Sequence, residues 1–514
     1  MLLPWFLALA ACGGGGDGGG GNGGGNGGGS FPGGSTWQPG VFQPSANFDA
    51  KCVNPRPGTA DRAGTITDQN NWLRSWTNEL YLWYSEVPDL NPALYTTDAY
   101  FDLLKTPAKT APKNADKDKF HFTYDTDEWE ALSQGGTEAG YGAEFDVLAA
   151  YPPRRIVVVY TDPGTTAETN LNRGDEVLQV DGVDVVAGNS DVLNAGLFPA
   201  NTGETHTFRV RNTAGVSRTV TMTSATITHS PVPIYKTFEN GTVGYIQFND
   251  HIATAERPLI TAINTLKTAN VTDLILDVRY NGGGYLDMAS ELAYMIGNTS
   301  LLTGKTFEKI VFNDKNPSRN PVTGEILAPT PFHSTTGFQA PLDQALPTLN
   351  LTRVYVIVGP GTCSASESII NSLRGAGVEV FIIGSTTCGK PYGFYPTDNC
   401  GVTYFSIQFR GENAMNFGDY TDGFSPANTA AADAGTVVPG CSVADDYTHA
   451  MGDAAEGRIA AALAFRASNN LTCPTASGVS PPRVAKASLA GGTLQGQWVS
   501  KPMARQNRII RRMQ

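Results

Sequence analysis

Leu274-Ile275-Leu276-Asp277-Val278-Arg279-Tyr280-Asn281-Gly282-Gly283-Gly284 is the stretch on which the reading of the fold turns. Leu274–Val278 is a short, nearly continuous apolar run, as expected of a strand buried on both faces. Leu286–Ile296 follows with helical spacing, so the glycines make a strand-to-helix turn. They leave backbone N–H groups uncovered near a helix N-terminus, which suits stabilisation of an oxyanion or a phosphate. A plain tight turn would use the same glycines, so the triplet alone does not specify chemistry.

The same unit repeats outward. Val243–Phe248 reads as a strand and Ala255–Ala269 as a helix. Further on, Val354–Val358, a helix over Ala365–Arg374 and Val378–Ile383 follow. Repeated strand–helix alternation argues an α/β layer fold, with ligands expected in the turns after the strands.

Two of those turns carry unusual residues. Gly361-Thr362-Cys363-Ser364-Ala365-Ser366-Glu367 puts Ser364 at a helix N-terminus, where the dipole favours developing negative charge. Ser364 and Glu367 also fit a capping box, which would make Ser364 a structural cap. Gly384-Ser385-Thr386-Thr387-Cys388-Gly389-Lys390-Pro391 matches G-x-x-x-x-G-K. A phosphate-binding loop needs Ser or Thr after the lysine and then a helix. Pro391 and Tyr-Gly-Phe-Tyr-Pro provide neither, so nucleotide binding is not expected.

Taken together, the three turns resemble the C-terminal processing protease family, also called tail-specific proteases. That family pairs a D-x-R-x-N-x-G-G turn with S-A-S-E and a later G-K, here Asp277–Gly284, Ser364–Glu367 and Gly389-Lys390. The resemblance covers roughly residues 60–475 and implies Ser364 as nucleophile and Lys390 as general base. It implies an oxyanion hole from the N–H groups of Gly283 and Ala365. Serine chemistry supports this, since a hydroxyl needs a base and a buried lysine can serve as one. None of the six histidines lies in these turns. Many relatives have a glutamine four residues after the lysine; here Phe394 stands there, which leaves the third member open.

Residues 130–226 consist of short β-branched runs such as Arg155–Tyr160, Glu176–Val180, Thr205–Val210 and Ser217–Thr223. Gly140-Tyr141-Gly142-Ala143-Glu144-Phe145 resembles the carboxylate-binding loop of PDZ domains, and Asn172–Gly182 their R-G-D segment. The resemblance implies that Gly140, Tyr141, Gly142 and Phe145 bind a peptide C-terminus by strand addition. Upstream, residues 67–87 read as an amphipathic helix capped by Thr67 and Asp68. Trp72, Trp76, Leu80, Trp83 and Val87 recur at helical spacing, better read as core than as a ligand site. A second helix is expected near Ala99–Lys105.

The first twelve residues, MLLPWFLALAAC, form an apolar run too short to span a bilayer and resemble a signal peptide. Leu9-Ala10-Ala11-Cys12 resembles a bacterial lipoprotein box, although no Lys or Arg precedes it. Residues 13–34 are mostly glycine, a flexible tether with a reach of about 25 Å. The remaining cysteines are even in number: Cys52, Cys363, Cys388, Cys400, Cys441 and Cys473. That fits disulfides in an oxidising compartment. The expected pairing is a Cys363–Cys388 clamp between the catalytic turns, with Cys388–Cys400 as the rival. Cys400–Cys441 and Cys52–Cys473 are the remainder. The net charge of −12 argues against nucleic acid as a partner.

The expected organisation is therefore an α/β, multidomain chain of α+β character. It runs as signal peptide (1–11), lipidated Cys12 with tether (12–47), helical region (48–129), PDZ-like domain (130–228) and protease core (229–475). Residues 476–514, with seven Lys or Arg and no acid, are expected to form a disordered tail. The expected function is an exported, membrane-anchored serine endopeptidase acting on polypeptides through their C-terminal tails. It needs no metal or organic cofactor, and neither nucleotide nor nucleic acid is a partner. The alternatives are an inactive PDZ-type peptide-binding protein and an esterase on the same scaffold.

Overall fold

The computed structural model describes residues 37–110, 115–474 and 508–510. The signal-peptide and Cys12 readings lie outside these residues, as do residues 12–36 of the expected tether and most of the basic tail. Residues 37–47 of that tether are held against the helical part, Gly40 N–H donating to Asp89 and Phe42 lying against Arg74. Among the described residues no helix is long and apolar enough to cross a membrane.

The N-terminal part is built on α1 (Ile66–Leu80) and α2 (Thr97–Leu103). Trp72 and Trp76 stack at 5.3 Å and pack with Tyr100, Phe101 and Tyr404, so the helical tryptophan stripe is core. Thr65, not Thr67, caps α1, closing a capping box with Asp68. The helix ends at Leu80, seven residues before the expected stop. Tertiary contacts win there: Leu82 N–H donates to the Ile407 carbonyl, and the Tyr81 hydroxyl bonds buried Asp118 at 2.7 Å.

The β-rich unit is an antiparallel sheet of β1 (Ala143–Ala149), β2 (Arg155–Thr161), β3 (Glu176–Val180), β4 (Thr205–Arg211) and β5 (Ser217–Thr223). Its order is β5-β4-β3-β2-β1, which leaves β1 at an edge. Helix α3 (Ser190–Leu197) closes its small core with Tyr141, Phe145, Leu193, Leu197 and Phe208.

The largest unit is a six-stranded sheet. Its strands are β6 (Ile234–Phe238), β7 (Val243–Gln247), β8 (Asp273–Asp277), β10 (Arg353–Val358), β11 (Glu379–Gly384) and β12 (Gly440–Ser442), in that spatial order. Only the β6–β7 pair is antiparallel. A short strand β9 (Gly283–Tyr285) lies outside this sheet, after β8. Alternation along the strands divides the core. Ile246, Leu274, Leu276, Val356 and Ile382 face α4 (Glu256–Thr268), α5 (Leu286–Ile296) and α6 (Ala365–Ala376). Tyr245, Ile275, Tyr355, Ile357 and Ile383 face α7 (Gly457–Ala467). Burial on both faces is why these strands read as continuous apolar runs. Because the strands are parallel, their carboxyl ends, and the turns after them, share one edge of the sheet.

Three disulfides are present: Cys52–Cys400, Cys363–Cys388 and Cys441–Cys473. The clamp is as expected. The Cys400–Cys441 and Cys52–Cys473 pairings are wrong: Cys52 ties the N-terminal segment to the turn after Asn399, and Cys473 returns after α7 to β12. The partners are 348 and 32 residues apart, and spacing cannot rank such contacts.

His229, just before the core, bonds Asp162 at 2.9 Å and Glu138 at 2.7 Å. Burial lowers its pKa, but the two carboxylates outweigh burial and hold it up at about 10. Its stabilisation is therefore complete below the unfolded value near 6.5 and lost as pH rises through about 10. Denaturant midpoints are expected to fall across this window, and His229→Gln to flatten that fall. An equal slope in both proteins would show that the ion pair contributes nothing.

Candidate active site

The turns after β8, β10 and β11 interlock. Cys363 N–H and the Ser366 hydroxyl both donate to the Asn281 carbonyl, at 3.2 and 3.1 Å. Thr362 Oγ1 donates to the Val278 carbonyl at 2.8 Å, and Cys388 N–H to the Thr362 carbonyl at 3.0 Å. The Cys363–Cys388 bond holds the second and third turns with Cα atoms 5.3 Å apart.

Glu367 is the centre of this arrangement. Its fully buried carboxylate accepts from the Ser364 N–H (2.9 Å), the Gly389 N–H (2.9 Å), the Lys390 N–H (2.8 Å) and the Thr387 hydroxyl (2.5 Å). The Ser364 and Lys390 N–H groups share one oxygen, Oε2, which brings the two backbones together. Burial pushes the Glu367 carboxyl up, opposed by those hydrogen bonds. The capping-box arrangement legible in the spacing is present, with the Ser364 N–H on Glu367 at 2.9 Å, but Ser364 Oγ is buried and makes no cap hydrogen bond.

Ser364 also has φ +63°, an unfavourable backbone for a residue with a Cβ. Such strain persists only where surrounding contacts over-determine it, and here Glu367, the disulfide and Asn281 do so. Ser366, two residues on, has ordinary helical placement and a hydroxyl already engaged by Asn281. Lys390 is fully buried, its Nζ 4.2 Å from the Phe394 ring centre and 5.0 Å from that of Phe120. Phe394 thus presents an aromatic face to the amine. Gly389 at φ +81° is required: a Cβ there would lie 2.2 Å from the Thr421 carbonyl oxygen.

The N–H of Ala365 occupies the first position of α6, where no intrahelical acceptor exists. The Gly283 N–H, in contrast, donates to Asn281 Oδ1 at 3.0 Å. Gly283 is therefore not an open donor as it stands. Asn281 Oδ1 also receives His251 Nδ1 at 2.9 Å, and its Nδ2 donates to the Phe248 carbonyl. His251 and Asn281 escaped the sequence reading because His251 lies on another turn, 30 residues away.

The first turn is anchored from behind by buried charge. Arg279 bonds Asp277 (2.8 Å), Asp445 (2.9 Å) and Glu456 (2.7 and 2.9 Å). Arg173, from the R-G-D segment, reaches Asp445 at 2.9 Å and the Tyr280 hydroxyl at 2.9 Å. The Tyr280 hydroxyl in turn donates to Asp445 at 2.6 Å. The β-rich unit is thus wired to the turn directly, through Arg173 on Tyr280, and through Asp445. No local motif could announce Asp445 or Glu456, which lie 166 and 177 residues from Arg279.

Of the residues expected to bind peptide, Tyr141 and Phe145 point inward and are 2% exposed. The Tyr141 hydroxyl donates to the Gly196 carbonyl of α3 at 2.9 Å. They form the floor of the loop, whose backbone leads directly into β1. Gly142 at φ +78° lets Thr165 approach, since a Cβ would lie 2.4 Å from its hydroxyl oxygen. Among the described residues, only Cys363, Glu367 and Cys388 gather three metal-type side chains. The sulfurs are joined to each other and the carboxylate is filled by N–H and O–H donors, which does not fit a metal.

Residues 242–394, the span holding all three turns, match the family model described as peptidase family S41. Among curated proteins, a carboxyl-terminal-processing protease from Picosynechococcus sp. is 27% identical over 268 residues, 50% of this chain and 54% of that protein. The chain thus spans about half the length of that relative. A solved structure from Bacteroides fragilis, described as of an S41 protease, superposes with a TM-score of 0.55 at 22% identity, covering 77% of this chain and 97% of the other. That likeness establishes the shared mixed α/β, multidomain fold.

Proposed function

We propose that this chain is an S41-type serine endopeptidase in which Ser364 is the nucleophile and Lys390 its general base. The observation that carries the reading is the buried, unpartnered Ser364 Oγ on a strained backbone at a helix N-terminus, beside the Lys390 turn. Ser364 Oγ attacks a peptide carbonyl carbon while its proton passes to Lys390 Nζ. The tetrahedral oxyanion is held by the Ala365 N–H, joined by the Gly283 N–H once Asn281 releases it. Collapse breaks the C–N bond, and the leaving amine takes the proton from Lys390. Water then repeats the sequence on the acyl-enzyme. A base must be the free amine, and burial of a lysine favours that form.

Substrate C-termini are proposed to add to the free edge of β1 beside α3, the geometry of strand addition. Cleavage of an unfolded protein such as reduced casein, compared with a simple ester, tests the activity. Ester turnover without peptide cleavage would favour an esterase, and neither would leave a binding protein.

Because Cys363–Cys388 positions both turns, mild reduction is expected to lower turnover by up to about 100-fold before the protein melts. Unchanged activity in a Cys363→Ser/Cys388→Ser variant would show that Glu367 alone suffices. Three disulfides support an exported protein. We place it at a bacterial membrane facing the periplasm or cell surface, lipidated on Cys12. Cys12→Ala is expected to move it to the soluble fraction; retention on membranes would refute the anchor.

A further inference from the structure

Both edges of β9, the strand that leaves the glycine turn, are taken. On one side His251 bridges Gly284: the His251 N–H donates to the Gly283 carbonyl at 3.3 Å, and the Tyr285 N–H to the His251 carbonyl at 2.9 Å. On the other side lies Arg508–Ile510, paired in parallel with Gly283 opposite Arg508, Gly284 opposite Ile509 and Tyr285 opposite Ile510. The same segment packs against Tyr392–Gly393, the strand that begins two residues after Lys390. It runs between the two turns that bear the proposed oxyanion donor and base. The tail expected to be disordered thus contributes a strand at the active site.

A peptide extended beside β9, which packs against the helix that begins after Ser364, would be held by main-chain hydrogen bonds to the strand edge. That edge is filled by the chain itself. We propose that the segment around residues 508–510 is a ligand in cis for the peptide track, so that the enzyme is self-inhibited until a substrate or partner displaces it. The inference rests on the peptidase reading of this site. Two further facts support an intramolecular occupant. A tethered segment acts at an effective concentration near millimolar, enough to hold a weak strand contact. Residues 476–514 carry seven Lys or Arg and no acid while the chain as a whole carries −12, so electrostatic attraction favours the contact that residues 508–510 make.

The test is the full chain with Ile509→Pro and Ile510→Pro. In a parallel ladder alternate residues turn their N–H groups to the partner, so two consecutive prolines remove a donor whichever residue faces β9. The Gly284 N–H, the one donor of β9 not already held by Asn281 or His251, is read by amide hydrogen exchange in a Ser364→Ala background, which needs no activity. Exchange is expected to be about tenfold faster in the proline variant. In the same background, a labelled peptide of residues 503–514 is expected to bind the proline variant about tenfold more tightly than the unaltered chain, as relief of a competitor that occupies nine sites in ten requires. With Ser364 restored, KM for an unfolded protein should fall by the same factor while kcat stays within about twofold. Equal exchange, equal peptide affinity or equal KM overturns self-inhibition. If no peptide bond is cleaved at all, the peptidase reading fails, while exchange and peptide binding still decide whether the tail is a cis ligand.

Discussion

Ser364→Ala and Lys390→Ala should each cut peptide-bond cleavage by roughly 10⁴- to 10⁶-fold, the scale seen when one member of a catalytic unit is removed. The double variant should be no worse than either single one, because nucleophile and base act in one step. Ser366→Ala discriminates the assignment. Its hydroxyl donates to the Asn281 carbonyl at 3.1 Å, so its loss should loosen the first turn and slow turnover by no more than about 10- to 100-fold. Initial rates on an unfolded protein, with thermal melting to confirm folding, decide the matter. An active Ser364→Ala protein beside a dead Ser366→Ala protein would transfer the role to Ser366.

Arg279→Met should lower stability by about 3–5 kcal/mol, the cost of leaving buried charge unpaired. Three carboxylates, Asp277, Asp445 and Glu456, would lose their shared cation in a site where Arg279 is 1% exposed. Burial pushes the Asp445 carboxyl up, yet Arg458, Arg279 and Arg173 outweigh it and hold it well below the usual range. That stabilisation is present above the unfolded carboxyl value and disappears as acid protonates the group. Wild type should therefore lose stability on acidification more steeply than Arg279→Met. Urea midpoints at neutral and acid pH measure both effects. A midpoint shift worth less than about 1 kcal/mol would show that the network is solvated in solution.

The three turns were legible because each is local: an apolar run, then glycines or a serine, then a helix with its own periodicity. Leu286–Ile296 was read to the residue, since its apolar stripe and its start after Tyr285 are encoded within eleven residues. Helix α1 was read too long because its end depends on Ile407 and Asp118, which no periodicity reports. The capping-box spacing of Ser364 and Glu367 was visible, but it suggested a structural serine. Only the fold shows that Glu367 keeps the Ser364 N–H and also gathers those of Gly389 and Lys390, while Ser364 Oγ stays without a hydrogen bond.

By itself the sequence determined the α/β core, the helical and β-rich units before it and the order of the three turns. These follow from hydrophobic period and turn chemistry, both short-range. Tertiary structure alone decided which distant groups meet: Asp445 and Glu456 on Arg279, Arg173 on Tyr280, Cys52 on Cys400, and Arg508–Ile510 on β9. It also decided that the Gly283 N–H is held by Asn281. Such contacts are set by how parallel strands bring their carboxyl ends to one edge, and chain separation carries no information about which of the residues gathered there will touch.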